Sequence, residues 1–117
     1  FFCGSGTTLA VAEKLAAQGV SVELIDPRTV SPLDMDLVLA SVSKTGRLLV
    51  IDEAYPPCSI AAEIAAQVAD AGFDDLDAPI KRLQGAFTPT PYSPPLEKAV
   101  VPQPDNMERA ILDLLAE

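Results

Sequence analysis

The most constraining feature of the sequence is an unbroken run of four aliphatic residues at positions 48–51, between Gly46 and Asp52. A run without polar alternation is typical of a strand that is buried on both faces, as central strands of parallel sheets are. We therefore predict such a strand over residues 47–52. A strand of this kind needs helices on both faces of its sheet, which indicates an α/β fold.

The same alternation of strand and helix continues along the chain. Short apolar runs predict further strands at residues 1–3, 20–25 and 80–83. Between residues 85 and 104 the chain is rich in proline, which excludes a long helix or a central strand there. We predict a single domain over residues 1–117, built as a three-layer α/β/α sandwich around a mainly parallel sheet.

Four segments have apolar residues at helical spacing and recognisable ends. The first helix is predicted to follow the Gly4-Ser5-Gly6 turn and to end near Gly19. The second is predicted to end at Gly46, and the third to begin after Ser59. For the last helix, the predicted N-terminal cap is Asp105 or Asn106. The predicted helices thus alternate with the predicted strands.

The charge balance excludes some classes of function. Seventeen acidic and eight basic residues give a net charge of −9, the opposite of what binding to nucleic-acid phosphates requires. No apolar stretch approaches the ~20 residues of a membrane-spanning helix, so no membrane association is expected. The start of the sequence lacks the pattern of a secretory signal, and Cys3 and Cys58 are predicted to be reduced thiols of a cytoplasmic protein.

The chain contains no histidine, and its two cysteines are far apart in the sequence. A Ser-His-Asp or Cys-His site is therefore impossible within these residues, and no zinc-site spacing occurs. We predict no catalytic, cofactor-binding or metal-binding residues in this chain.

The Gly4-Ser5-Gly6 turn precedes a predicted helix, and helix N-termini with free N–H groups bind phosphate. A dinucleotide fingerprint requires a third glycine, however, where this sequence has Leu9. We interpret the turn as structural. A stand-alone phosphate- or nucleotide-binding domain that uses residues 4–8 remains an alternative.

Two pairs of charged residues stand at the ends of predicted strands. Asp26 and Arg28 are interpreted as bracing their loop by a charge-assisted hydrogen bond, rather than as a ligand site. Asp52 and Glu53 are adjacent, so in extended chain their side chains point to opposite sides and do not converge on a cation. The sequence offers no third ligand, so metal binding at Asp52 and Glu53 is disfavoured.

A cluster of four carboxylates within eight residues follows the third predicted helix, and Lys81 and Arg82, which come next, are possible partners for it. The cluster is either a solvated face or a docking surface for a basic partner, where complementary charge sets specificity. We keep the docking hypothesis. Its candidate residues are the four aspartates, the two residues at the end of the central strand and the final glutamate: Asp70, Asp74, Asp75, Asp77, Asp52, Glu53 and Glu117.

The sequence begins with Phe1 rather than methionine, inside an apolar segment that leads into the glycine turn. We expect it to be a piece of a longer chain that lacks the beginning of its N-terminal strand.

Four segments in this order carry a family resemblance: VELIDPRTVSPLD at 22–34, TGRLLVIDEA at 45–54, LDAPIKRL at 76–83 and TPYSPPLE at 90–97. Together they closely resemble the C-terminal domain of the transketolase superfamily. They are most similar to the beta subunit of the thiamine-diphosphate-dependent decarboxylating component of 2-oxo-acid (pyruvate or branched-chain) or acetoin dehydrogenase complexes. The resemblance covers nearly the whole chain.

The resemblance implies a parent enzyme that oxidatively decarboxylates a 2-oxo acid, or cleaves acetoin, and transfers the acyl group to lipoyl. It implies that thiamine diphosphate and magnesium bind elsewhere in the parent. The domain itself is then expected to assemble a heterotetramer with an alpha subunit and a second beta subunit, and to dock the basic subunit-binding domain of the acyltransferase core.

The implied location is the cytoplasm, or the mitochondrial matrix if the source is eukaryotic. The C-terminal domain of a transketolase or a deoxyxylulose-phosphate synthase is the alternative parent. One departure stands out: the family sheet has five strands, whereas three or four can be counted here.

Overall fold

The computed structural model describes residues 5–117, so the strand predicted at residues 1–3 lies outside the described residues. Helices and short strands alternate along the chain, as an α/β fold requires. In chain order they are α1 (Ser5–Ala17), α2 (Met35–Thr45), β1 (Leu49–Ile51), α3 (Ile60–Ala71), a single 3-10 turn (Phe73–Asp75), β2 (Lys81–Leu83), α4 (Pro94–Val100) and α5 (Pro104–Ala116).

The sheet of the described residues consists of β1 and β2, which are parallel, with Leu49 opposite Lys81 and Ile51 opposite Leu83. Val50 and Ile51 are both buried. Because successive side chains of a strand point to opposite faces, β1 is covered on both sides. The helices that contact it are α3 and α5, which therefore lie on opposite faces of the sheet. The predicted α/β class and the parallel pairing are confirmed.

The core extends from the sheet into the two helical layers. α1 packs against α5 and α2 against α3. The most deeply buried side chains come from three of these helices and from β1: Leu15, Val38, Val42, Val50, Ile64 and Val68. Burying such aliphatic side chains contributes roughly 1.5–3 kcal/mol each, so this core is the main stabilising feature of the domain.

Local capping explains why α2 and α3 form where the sequence predicts them. The Asp34 carboxylate accepts a hydrogen bond of 3.1 Å from the Leu37 N–H at the start of α2. The Ser59 hydroxyl accepts one of 3.2 Å from the Ala62 N–H at the start of α3. Gly46 ends α2 with a φ of 73°, in the left-handed region that favours glycine.

The start of α5 differs from the prediction. Pro104 is its first residue and Gln103 its N-cap, rather than Asp105 or Asn106. Asn106 takes part from inside the helix, because its side chain accepts a hydrogen bond of 3.1 Å from the Gln103 N–H. Proline suits the first helical position, where no N–H donor is needed. The same preference allows α4 to begin with Pro94 inside the proline-rich stretch.

The strand predicted at residues 20–25 is not formed. Val20 donates a backbone hydrogen bond to the Leu15 carbonyl at the end of α1, but residues 21–27 make no backbone–backbone hydrogen bond within the described part of the chain. A strand requires a neighbour to pair with, and a cavity of about 150 Å³ lies between this segment and β1. Apolar patterning alone therefore overestimated the regular structure here.

Candidate functional site

The candidate docking residues fall at two opposite ends of the parallel sheet. At the carboxyl end, Asp52 follows β1, and its N–H donates to the Leu83 carbonyl at 3.0 Å. Its carboxylate is buried, with 7% of the residue exposed, and it accepts a hydrogen bond of 3.1 Å from the Ala54 N–H. Glu53 is exposed. The two adjacent carboxylates therefore face different surroundings, and Glu53 is the one accessible to a partner.

The acidic cluster, which comprises Asp70, Asp74, Asp75 and Asp77, lies at the amino end of the sheet. Asp77 donates its backbone N–H to the carbonyl of Gly46, just before β1, at 2.7 Å. Glu117 reaches the same end, because it pairs at 2.8 Å with Lys81, the first residue of β2. All four aspartates are exposed. The cluster and Glu117 thus belong to one end, and Asp52 and Glu53 to the other.

The basic residues that follow the acidic cluster do not neutralise it. Lys81 pairs with Glu117, and Arg82 donates to the side-chain oxygen of Gln84 at 3.3 Å. Among residues 8–117, no ion pair involves the cluster. The four residues are exposed and pair with no cation of the described chain, so a basic partner can reach their carboxylates.

The brace predicted between Asp26 and Arg28 is absent from the described structure. Both residues are exposed, and neither an ion pair nor a hydrogen bond joins them. Two exposed charges gain little by pairing, because water already solvates each of them and pairing restricts two side chains. The predicted charge-assisted hydrogen bond is thus not formed in the described structure, and a role of the two residues in their loop stays a prediction.

Thr8, near the start of α1, is not accessible to a phosphate, and Ser5 and Gly6 belong to the helix itself. The Thr8 hydroxyl is buried and directed at the Met107 sulfur of α5, 4.0 Å away.

Within the described residues, no group of three or more side chains has the arrangement of a metal site, and Cys58 is a free, exposed thiol. No helix in the described part of the chain is long and apolar enough to cross a membrane.

The cavity beside β1 was not predicted. One wall is formed by residues 20–25 and the other by Leu48, Leu49 and Ile51, with α2 and α5 closing the sides. The lining is mainly aliphatic, and the buried Nε of Arg47 has no hydrogen-bond partner among the residues that the structure describes. No sequence pattern identifies such a cavity, because it depends on the spacing between two segments that are distant along the chain.

Among residues 5–117, the backbone of β1 has no partner strand on the side of this cavity. Leu48 accepts a hydrogen bond from Lys81, and Asp52 donates one to Leu83, both across to β2. In a parallel strand the backbone groups of alternate residues point to opposite edges, so those of Leu49 and Ile51 face the cavity. An apolar slot with an unpaired strand edge suits an additional strand better than a charged small molecule.

Comparison with known proteins supports one family. The model of the transketolase C-terminal domain matches residues 4–107. The chain is 52% identical to the Bacillus subtilis "Acetoin:2,6-dichlorophenolindophenol oxidoreductase subunit beta", over 95% of this chain and 32% of that protein. It is 44% identical to the Arabidopsis thaliana "Pyruvate dehydrogenase E1 component subunit beta-1, mitochondrial", over 90% and 29% respectively.

A third relative is the Bacillus subtilis "2-oxoisovalerate dehydrogenase subunit beta", 42% identical over 91% of this chain and 33% of that protein. The chain thus spans about a third of the length of these relatives. Among solved structures, a "Split gene transketolase, inactive beta4 tetramer" has the same fold, with a TM-score of 0.72 and 18% identity over 95% of this chain and 34% of that one. The chain belongs to the transketolase C-terminal domain family.

Proposed function

We propose that this chain is the C-terminal domain of a beta subunit of a thiamine-diphosphate-dependent 2-oxo-acid or acetoin dehydrogenase, and that it serves assembly and partner docking. The observation that carries the proposal is the similarity to proteins named as beta subunits, at 42–52% identity over at least 90% of the chain. The part of those proteins that matches is about a third of their length, which agrees with one domain of a larger subunit.

The parent enzyme, in this proposal, oxidatively decarboxylates a 2-oxo acid or cleaves acetoin, and it transfers the acyl group to lipoyl. The side chains of the described residues do not fit thiamine diphosphate and magnesium. They contain no group of metal ligands, and the lining of the cavity beside β1 is mainly aliphatic. We therefore assign both cofactors to parts of the parent outside this domain, and we derive no chemical step from these residues.

For docking, we assign the acidic cluster and Glu117 to the basic subunit-binding domain of the acyltransferase core. They share one end of the sheet, and the cluster carries no intramolecular ion pair within residues 8–117. Asp52 and Glu53 lie at the other end, roughly 20 Å away along the six-residue span from Gly46. We therefore assign them to a different contact, with the alpha subunit or the second beta subunit. In this proposal Glu53 makes the contact, because Asp52 is buried.

The relatives come from bacteria and, by their names, from mitochondria. We propose a cytoplasmic location in a bacterium and the mitochondrial matrix in a eukaryote.

A chimeric subunit tests the proposal. This chain replaces the matching segment of the Bacillus subtilis acetoin oxidoreductase beta subunit, which is 52% identical to it, and the chimera is expressed with the cognate alpha subunit. We expect the two subunits to copurify and to reduce 2,6-dichlorophenolindophenol with acetoin. A chimera with the matching domain of the split-gene transketolase, which has the same fold at 18% identity, is the control and is expected not to assemble. A folded chimera of this chain that does not bind the alpha subunit contradicts the proposal.

A further inference from the structure

We draw no further inference here: the strongest candidate, the surface patch that the exposed ring of Phe73 forms in the 3-10 turn between α3 and β2, belongs to the docking surface of the acidic cluster already described.

Discussion

The backbone N–H of Asp77 donates a hydrogen bond of 2.7 Å to the carbonyl oxygen of Gly46, and the Asp77 carboxylate occupies the space that a Cβ at position 46 would take. Gly46 has a φ of 73° and ends α2 directly before β1. Asp77 lies shortly before β2. This contact therefore connects the segments that precede β1 and β2, and it positions one member of the acidic cluster at the amino end of the sheet.

Gly46→Ala is expected to lower the free energy of unfolding by about 2–3 kcal/mol. A left-handed backbone conformation costs a residue with a Cβ roughly 1–2 kcal/mol, and the displaced Asp77 carboxylate adds to this. Urea unfolding, followed by circular dichroism, measures the change.

Gly19→Ala is the matched control, because Gly19 has a φ of 86° but no atom within 4 Å of its Cβ position. We expect it to cost only about 1–2 kcal/mol, from the backbone conformation. In a protein that already carries Asp77→Ala, Gly46→Ala is expected to lower the free energy of unfolding by only this smaller amount. Equal losses for the two glycine variants in the presence of Asp77 contradict a steric role of its carboxylate.

The ion pair between α1 and α5 makes the free energy of unfolding depend on pH in the alkaline range. The Lys14 ammonium lies 2.7 Å from a carboxylate oxygen of Glu108. This hydrogen bond, together with the charge of Glu108, raises the pKa of Lys14 above its ordinary value of 10.5. A raised lysine pKa means that the stabilisation is complete below the pKa of the unfolded chain, and that it is lost as the pH rises through the higher pKa of the folded state.

We expect the urea midpoint of the wild type to fall towards that of Lys14→Met between about pH 9 and about pH 11.5, and the difference to be constant below this range. The effect is small, because the Lys14 side chain is exposed. A difference between the two proteins that stays constant up to about pH 11.5 contradicts the assignment.

Neutralising the acidic cluster is expected to weaken the docking of a basic partner. The variant in which all four aspartates of the cluster are replaced by asparagine should raise the Kd for a basic subunit-binding domain and reduce the dependence of that Kd on salt. Isothermal titration calorimetry at two NaCl concentrations measures both effects.

A control variant with the same change of net charge distinguishes an effect of the acidic cluster from an effect of the protein's net charge. It replaces four exposed acidic residues from other parts of the chain by their amides: Glu13, Asp26, Glu97 and Asp113. The control should alter the Kd much less than the cluster variant. Equal effects of the two variants indicate that net charge, and not the cluster, determines binding.

The features that the sequence predicts correctly are local ones. Ser59 caps α3 and Gly46 ends α2 because a cap depends only on residues within one turn. The run at residues 48–51 predicts a doubly buried strand because no other element satisfies four successive aliphatic side chains as well. These elements, with the family motifs, are sufficient for the fold class.

The features that the sequence does not reveal depend on contacts between distant segments. The separation of Glu53 from the acidic cluster follows from the parallel register of β1 and β2. The contact between residues 83–96 and residues 54–62 is likewise formed by segments that are distant along the chain. Asp26 and Arg28 were expected to pair because they are close in sequence. Proximity in sequence does not show whether pairing is more favourable than hydration of the two separate charges.

The cavity beside β1 leads to a prediction about amide exchange. The N–H groups of Leu49 and Ile51 face the cavity, whereas those of Val50 and Asp52 face β2. The sequence predicts that residues 1–3 end a strand, and α1 begins at Ser5, with Thr8 among the residues that line the cavity. Because Thr8, near the start of α1, lines the slot, and because β1 pairs among the described residues with β2 alone, we expect the strand predicted from the sequence to pair with the other edge of β1.

Hydrogen exchange measured by NMR on the 117-residue chain and on a variant without residues 1–3 tests this prediction. If the slot holds a strand, the Leu49 and Ile51 amides exchange slowly in the full chain, and removing residues 1–3 accelerates both about tenfold or more. The Val50 amide is the internal control, since its partner is in β2, and its exchange should change much less. Burial of Ile51 alone also slows exchange, but it does so equally in both proteins. Unchanged rates at Leu49 and Ile51 after the truncation therefore contradict a strand formed by residues 1–3.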